Sequence, residues 1–157
     1  MASINGISIK SLKSFLDHEG MEIYQGNVYY KGKKLGFWSQ DSWGGPDQFG
    51  FDEGILDAEV EKFRNSELVE ERYRQIVNVE IVLNELVEIC QFEKKYKKNA
   101  KSGFKTLVWA HDGYGYSSKR SKDKELACDY YRKFAQEHSG AYHTYVFGSL
   151  EDFEITV

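Results

Sequence analysis

The 157-residue sequence predicts an α+β fold: an N-terminal antiparallel β-meander, a long central helix and a C-terminal β-α-β(-β) unit. Three observations lead to it. Residues 4–40 alternate apolar and polar side chains in short runs rich in β-branched and aromatic residues, broken at glycines. Ile76, Val79, Leu83, Leu86 and Cys90 then step by three and four, the spacing of a helical stripe. Beyond residue 103 the strand pattern resumes around one further helical stretch.

Ile4, Ile7, Ile9, Leu12 and Phe15 predict a bent strand over about 4–15, and His18–Gly20 a turn. Met21–Tyr30 reads as a second strand, with Tyr24, Val28 and Tyr30 on one face. Lys31-Gly32-Lys33 makes a hairpin turn into a third strand at about 34–40, and DQFGF a short fourth. Asp57 is placed to cap a short helix over Glu59–Arg64. Ser66, followed by Glu70, is placed to cap a long helix that runs to about Lys98, and Val82, Val87 and Ile89 widen its stripe enough to pack on a sheet. Asn99–Gly103 ends that helix, with lysines where the helix dipole favours cations. FKTLVWA (104–110) predicts a strand, HDGYGYSSKRS (111–121) a loop, and Ser121 the cap of a helix over about 122–138 carrying Leu126, Cys128, Tyr130, Tyr131, Phe134 and Ala135. AYHTYVFG and FEITV close the chain as strands. The organisation expected is a β-rich module with a short helix over 1–66 and the long helix plus β-α-β unit over 67–157, packed as one domain or as two sub-modules.

A charged fraction of 29% with a single proline argues against disorder. Apolar runs fall short of the roughly 20 residues that span a bilayer, and MASINGISIK lacks the apolar centre of a signal peptide. Cys90 and Cys128 read as reduced thiols, so the expected compartment is the cytoplasm. The net charge is −4, but it is segregated. Residues 36–71 hold ten acids against Lys62 and Arg64, whereas residues 94–124 hold ten bases against Asp112 and Asp123. Such blocks suit solvated faces, pairing within the chain or between copies in a homodimer, or a surface that steers a partner.

Residues 36–54, GFWSQDSWGGPDQFGFDEG, concentrate five glycines, Trp38, Trp43, three phenylalanines, Pro46 and four acids. That mixture suits a shaped loop, and an exposed Trp43 would serve as an interface anchor. Asp41, Asp47, Asp52 and Glu53 are six, five and one apart, which does not match a calcium loop. The segment from Gly113 to Arg120 matches neither a P-loop nor a dinucleotide fingerprint, although Tyr114, Tyr116, Lys119 and Arg120 are residues that could grip a nucleic-acid backbone. His111-Asp112 beside Ser117 and Ser118 is a loose hint of a hydrolytic site, and the cysteines and histidines have no zinc-ligand spacing. The expectation is therefore no catalytic set, no metal and no cofactor. The binding residues expected are Trp38, Asp41, Trp43, Asp47, Phe49, Asp52 and Glu53.

Gly26–Tyr29, Gly32-Lys33-Lys34, Gly36 and Asp41–Pro46 carry a resemblance. Over about a third of the chain they resemble a β-rich module of small uncharacterised proteins from bacteriophages and other mobile elements of Gram-positive bacteria. The resemblance implies a cytoplasmic inhibitor or regulator, acting in a bacterial host on a host protein, with anti-CRISPR and other anti-defence proteins as the analogy. The partner would then be a nucleic-acid-handling effector. The alternatives are a nucleic-acid-binding accessory protein using the bases of 94–124 and a small enzyme with a site near His111.

Overall fold

In a computed structural model, residues 1–111, 116–123, 125–126, 128–130, 133 and 143–157 are described. Among them nine strands form two sheets, and the class is mixed α+β. The first sheet holds β1 (Ser3–Ile4), β2 (Ile7–Leu16), β3 (Glu22–Tyr30), β4 (Lys33–Ser39), β5 (Gln48–Phe49) and, from the far end of the chain, β9 (Glu154–Ile155). Its order is β5-β4-β3-β2-β1-β9. The meander is antiparallel throughout, and β9 joins parallel to β1 at the edge. Ile7 faces Tyr30 and Ile9 faces Val28 across β2 and β3. The expected strand over 4–15 divides into β1 and β2, and β2 bends at a bulge between Lys10 and Lys13, with Ser11 at φ 55°. Before it β2 is buried; after it the strand runs out into solvent beside β3. Lys31 (φ 47°) and Gly32 (φ 80°) give the β3–β4 hairpin its left-handed turn.

Trp38 is fully buried on β4, directly across from Gly26 of β3. A Cβ at Gly26 would lie 2.6 Å from Ile9 Cγ2, so the β2–β3 approach beside the indole requires glycine.

Helix α1 (Asp57–Arg64) buries Glu59, Val60 and Phe63. Asp57 is its first residue rather than its cap: a 3-10 turn over Glu53–Leu56 leads straight in, and Asp52 caps that turn by accepting from Gly54 N at 3.0 Å. The long helix starts later than the Ser66 signal suggests. Ser66 Oγ instead donates to Phe63 O and accepts from Leu68 N, closing α1, and residues 71–76 form a 3-10 turn. Helix α2 is Val79–Ala100, capped by Asn78 through Ile81 N at 3.0 Å. Ile76 belongs to the sequence stripe but is 57% exposed, whereas Val79, Val82, Leu83, Leu86, Val87, Ile89 and Cys90 are buried.

The second sheet has the order β7-β6-β8, with β6 (Thr106–His111), β7 (Tyr116–Ser121) and β8 (His143–Phe147). Residues 116–121, expected within a loop, form a strand antiparallel to β6 because their backbone completes the ladder from Thr106–Ser121 to His111–Tyr116. Ser121 Oγ accepts from Asp123 N, and Asp123 Oδ1 accepts from Glu125 N. Residues 125–126, 128–130 and 133 are helical. The remainder of the expected 122–138 helix lies outside the described residues.

Buried residues of both sheets, α1 and α2 form one core cluster. The Tyr96 hydroxyl of α2 lies 3.0 Å from both Lys105 O and Gly148 O, and Tyr145 OH donates to Glu85 Oε1 at 2.9 Å. Phe147 and Phe153 stack at 3.9 Å beneath Tyr96, tying β8 to the approach of β9. Glu93, 7% exposed, accepts from Ala2 N at 2.9 Å and from Lys97 Nζ at 2.6 Å. Burial pushes its carboxyl up, but those two donors and the terminal amine outweigh it and hold Glu93 below its ordinary 4.5. The stability this pairing adds is therefore present above the ordinary carboxylate range and lost as pH falls through the folded value. Glu93→Gln should cost about 1–3 kcal/mol at neutral pH, with the difference closing in denaturant melts as pH falls from the ordinary 4.5 through the lower folded value.

Candidate functional site

The strongest candidate lies at one end of the first sheet, where the β2–β3 turn meets the loop after β4. Asp17 builds the turn: its N–H donates to Met21 O, and its Oδ1 accepts from Glu19 N and Met21 N, each at 2.8 Å. The 41–45 segment is built in the same way. Asp41 Oδ2 accepts from Gly45 N at 2.8 Å and Asp41 O from Gly44 N at 3.2 Å. Gly44 has φ 76°, and a Cβ at Gly45 would collide with the Asp41 carboxylate. His18 joins the two segments, with Nδ1 2.6 Å from Ser42 O. Its ring stacks on Trp43, centroids 4.5 Å apart and planes 23° from parallel.

Trp43 is thus fixed at its base and 74% exposed at its outer face. Leu16 (70%) and Met21 (63%) flank the turn, with Phe15 of β2 also exposed. This exposed apolar group sits on backbone already held by hydrogen bonds, so little ordering entropy remains to be lost on contact.

The other expected binding residues divide. Asp41 shapes the loop. Trp38 belongs to the core, not to the surface: it is fully buried and donates Nε1–H to Asp47 Oδ2 at 2.8 Å. Asp47 is half-buried, and its own N–H donates to Glu80 Oε1 at 3.1 Å. Burial is the main cause that raises its carboxyl above the ordinary 3.8; the indole N–H works against this, and the charges of Glu80 and Glu53 add to it. Phe49 is half-buried, edge-on to Phe51 at 5.5 Å. Asp52 and Glu53 are exposed. Glu53 belongs to an open cleft of about 630 Å³ whose lining includes Asp57, Glu61, Arg64, Asn78 and Glu80. The cleft continues the acidic side from the loop to the start of α2.

Comparison with protein-family models, curated proteins and solved structures finds no match to this chain.

Among the described residues, the acids, cysteines and histidines form no group of three or more able to hold a metal ion. Also among them, no helix is long and apolar enough to cross a membrane. Cys90 is buried and its thiol is pushed up to about 11 by desolvation, then by Glu93, which makes it a poor nucleophile. Asp112, Tyr114, His138 and the side chains of His111, Tyr116, Ser117 and His143 lie outside the described residues. Lys119 and Arg120 are exposed on β7. The sequence reading passed over His18, Leu16 and Met21. The signal available was the Asp-His-Glu-Gly turn between two strands, with apolar residues on both sides of it.

A raised carboxylate stabilises the fold below its unfolded value and loses that contribution as pH rises through the folded value. Asp47→Asn keeps an oxygen for the Trp38 indole and removes the buried charge. It should therefore raise the melting temperature at pH 7, and the gain should vanish below pH of about 4. A lower melting temperature at pH 7 would mean that the ionised Asp47–Trp38 bond outweighs the cost of burying the charge.

Proposed function

We propose that this protein is a non-enzymatic inhibitor or regulator of phage or mobile-element origin that acts by binding a host protein. The observation that carries the reading is Trp43: a large aromatic side chain, mostly in solvent, held on a braced loop against His18 of the turn that Leu16 and Met21 flank. Tryptophan anchors of this kind dominate interface energetics, because one rigid side chain buries a large area for few lost rotamers. The acids that begin beside it extend the surface. Asp41 and Asp47 lead to Glu53, Asp57 and Glu61 of the neighbouring cleft, a negative tract that complements a basic channel. The partner that fits is a nucleic-acid-handling host defence protein such as a CRISPR effector, whose nucleic-acid path the acidic tract would occupy.

Candidate effectors immobilised on a sensor surface test this. Trp43→Ala should weaken binding by about 2 kcal/mol or more, roughly thirtyfold. The melting temperature should stay within a few degrees of wild type, because the side chain is mostly in solvent. Glu53→Lys/Glu61→Lys should slow association and flatten its dependence on salt. These two positions are preferable to Asp41 and Asp47, which hold the loop and the core together. A bound effector whose affinity is the same for both variants and wild type would remove this surface from the reading.

A further inference from the structure

The opposite end of α2 carries a second surface that the Trp43 loop does not involve. Strand β7 lies along the last turns of the helix. Lys95 Nζ of α2 donates to Ser118 Oγ of β7, and two residues further along the strand Arg120 Nη1 donates to Asn99 Oδ1 at 3.2 Å, four residues further along the helix. Two strand residues and four helix residues cover nearly the same length, so the contact repeats in register. The seam brings two rows of cations side by side. Lys94, Lys95 and Lys98 are exposed on the helix, Lys101 just past its end, and Lys119, Arg120 and Lys122 on and just after the strand.

These cations rest on rings and amides. Arg120 stacks over Phe104 at 4.1 Å, Lys122 lies 5.7 Å over the same ring, and Lys119 lies 5.4 Å over Tyr130. Among the described residues none of the seven forms an ion pair with a carboxylate, whereas Lys62, Arg72 and Lys97 all do. Asn99 Nδ2, at the buried base of the seam, has no hydrogen-bond partner among the described residues. Among the described residues, a protein of net charge −4 has thus gathered positive charge that is not ion-paired along one seam, with a spare amide donor beneath it.

We infer that the α2–β7 seam binds the sugar–phosphate backbone of a nucleic-acid strand. A row of phosphates is the ligand class that matches a line of cations with no geometry for a single small anion. Lysine and arginine contacts of this kind position a backbone without reading its sequence. The inference is independent of the Trp43 surface and would stand if that surface bound nothing.

The test uses the full chain and a fluorescently labelled 20-nucleotide single strand of mixed sequence, read by anisotropy at low salt, with a duplex of the same sequence alongside. Neutralising about five phosphates of a single strand gives a log–log salt slope of about −3.5, so affinity should fall about a hundredfold between 50 and 200 mM salt. Lys94→Ala/Lys98→Ala/Lys101→Ala changes exposed side chains that make no side-chain hydrogen bonds among the described residues. It should keep the melting temperature and reduce the slope by about 2. Trp43→Ala should leave oligonucleotide binding unchanged. Absence of binding to either nucleic acid at 25 mM salt (about the lowest useful ionic strength) would overturn the inference, as would equal affinity and slope in the triple variant. So would sedimentation in which the triple variant abolishes self-association while wild type ignores both oligonucleotides, since the seam would then be seating the acidic side of a second copy.

Discussion

Both sheets depend on the burial of one helix. Helix α2 is about 33 Å long at 1.5 Å per residue, and its stripe from Val79 to Tyr96 is packed into the common core. Each fully buried aliphatic side chain contributes roughly 1.5–3 kcal/mol, so the helix is the largest single source of cohesion between sheets that share no strand. Its polar face follows its own electrostatics. Glu80 sits in its first turn and Lys97 and Lys98 in its last, each sign at the end where the helix dipole stabilises it. The charge segregation along this helix therefore has a folding cause before it has any role in binding. The acidic loop and cleft meet the helix at its start, and the basic strand β7 meets it at its end.

At the acidic end, one bond couples core to surface. The Trp38 indole sits beneath the sheet and its N–H reaches Asp47, whose backbone N–H in turn is held by Glu80 of α2. The loop between β4 and β5 is thereby fastened at the Asp47 side, while Asp41 and His18 fasten it at the other. Trp43 stands between two tied points, so its exposure is a property of the scaffold rather than of a loose chain.

Much of this was legible in the sequence, and the parts that were not have specific causes. The meander could be read because alternation and glycine turns coincide from Ile4 to Ser39. The start of α2 could not, since Ser66 and Glu70 mimic a capped helix and Ile76 falls in phase with the true stripe. The real cap, Asn78, becomes visible only once Val79 and Val82 are known to be buried and Ile76 is known to be exposed. Strand β7 was hidden because an edge strand of one tyrosine, three serines, a lysine and an arginine has no apolar–polar alternation. Trp38 and Trp43, five residues apart in one glycine-rich stretch, met opposite fates. The difference lies in the register that sets Trp38 against Gly26, and register is a long-range property that local composition does not encode. His18 entered the site by the same route, through a contact 24 residues away in sequence.

The same pair of tryptophans places two of the chain's three indoles in opposite dielectric surroundings. Trp38 absorbs and emits from a dry interior with its N–H already committed, whereas Trp43 does so from water with an imidazole against its face. Light from the first reports whether the sheet is intact. Light from the second responds to whatever covers the loop, so with Trp109 replaced by phenylalanine one emission spectrum separates unfolding from occupancy.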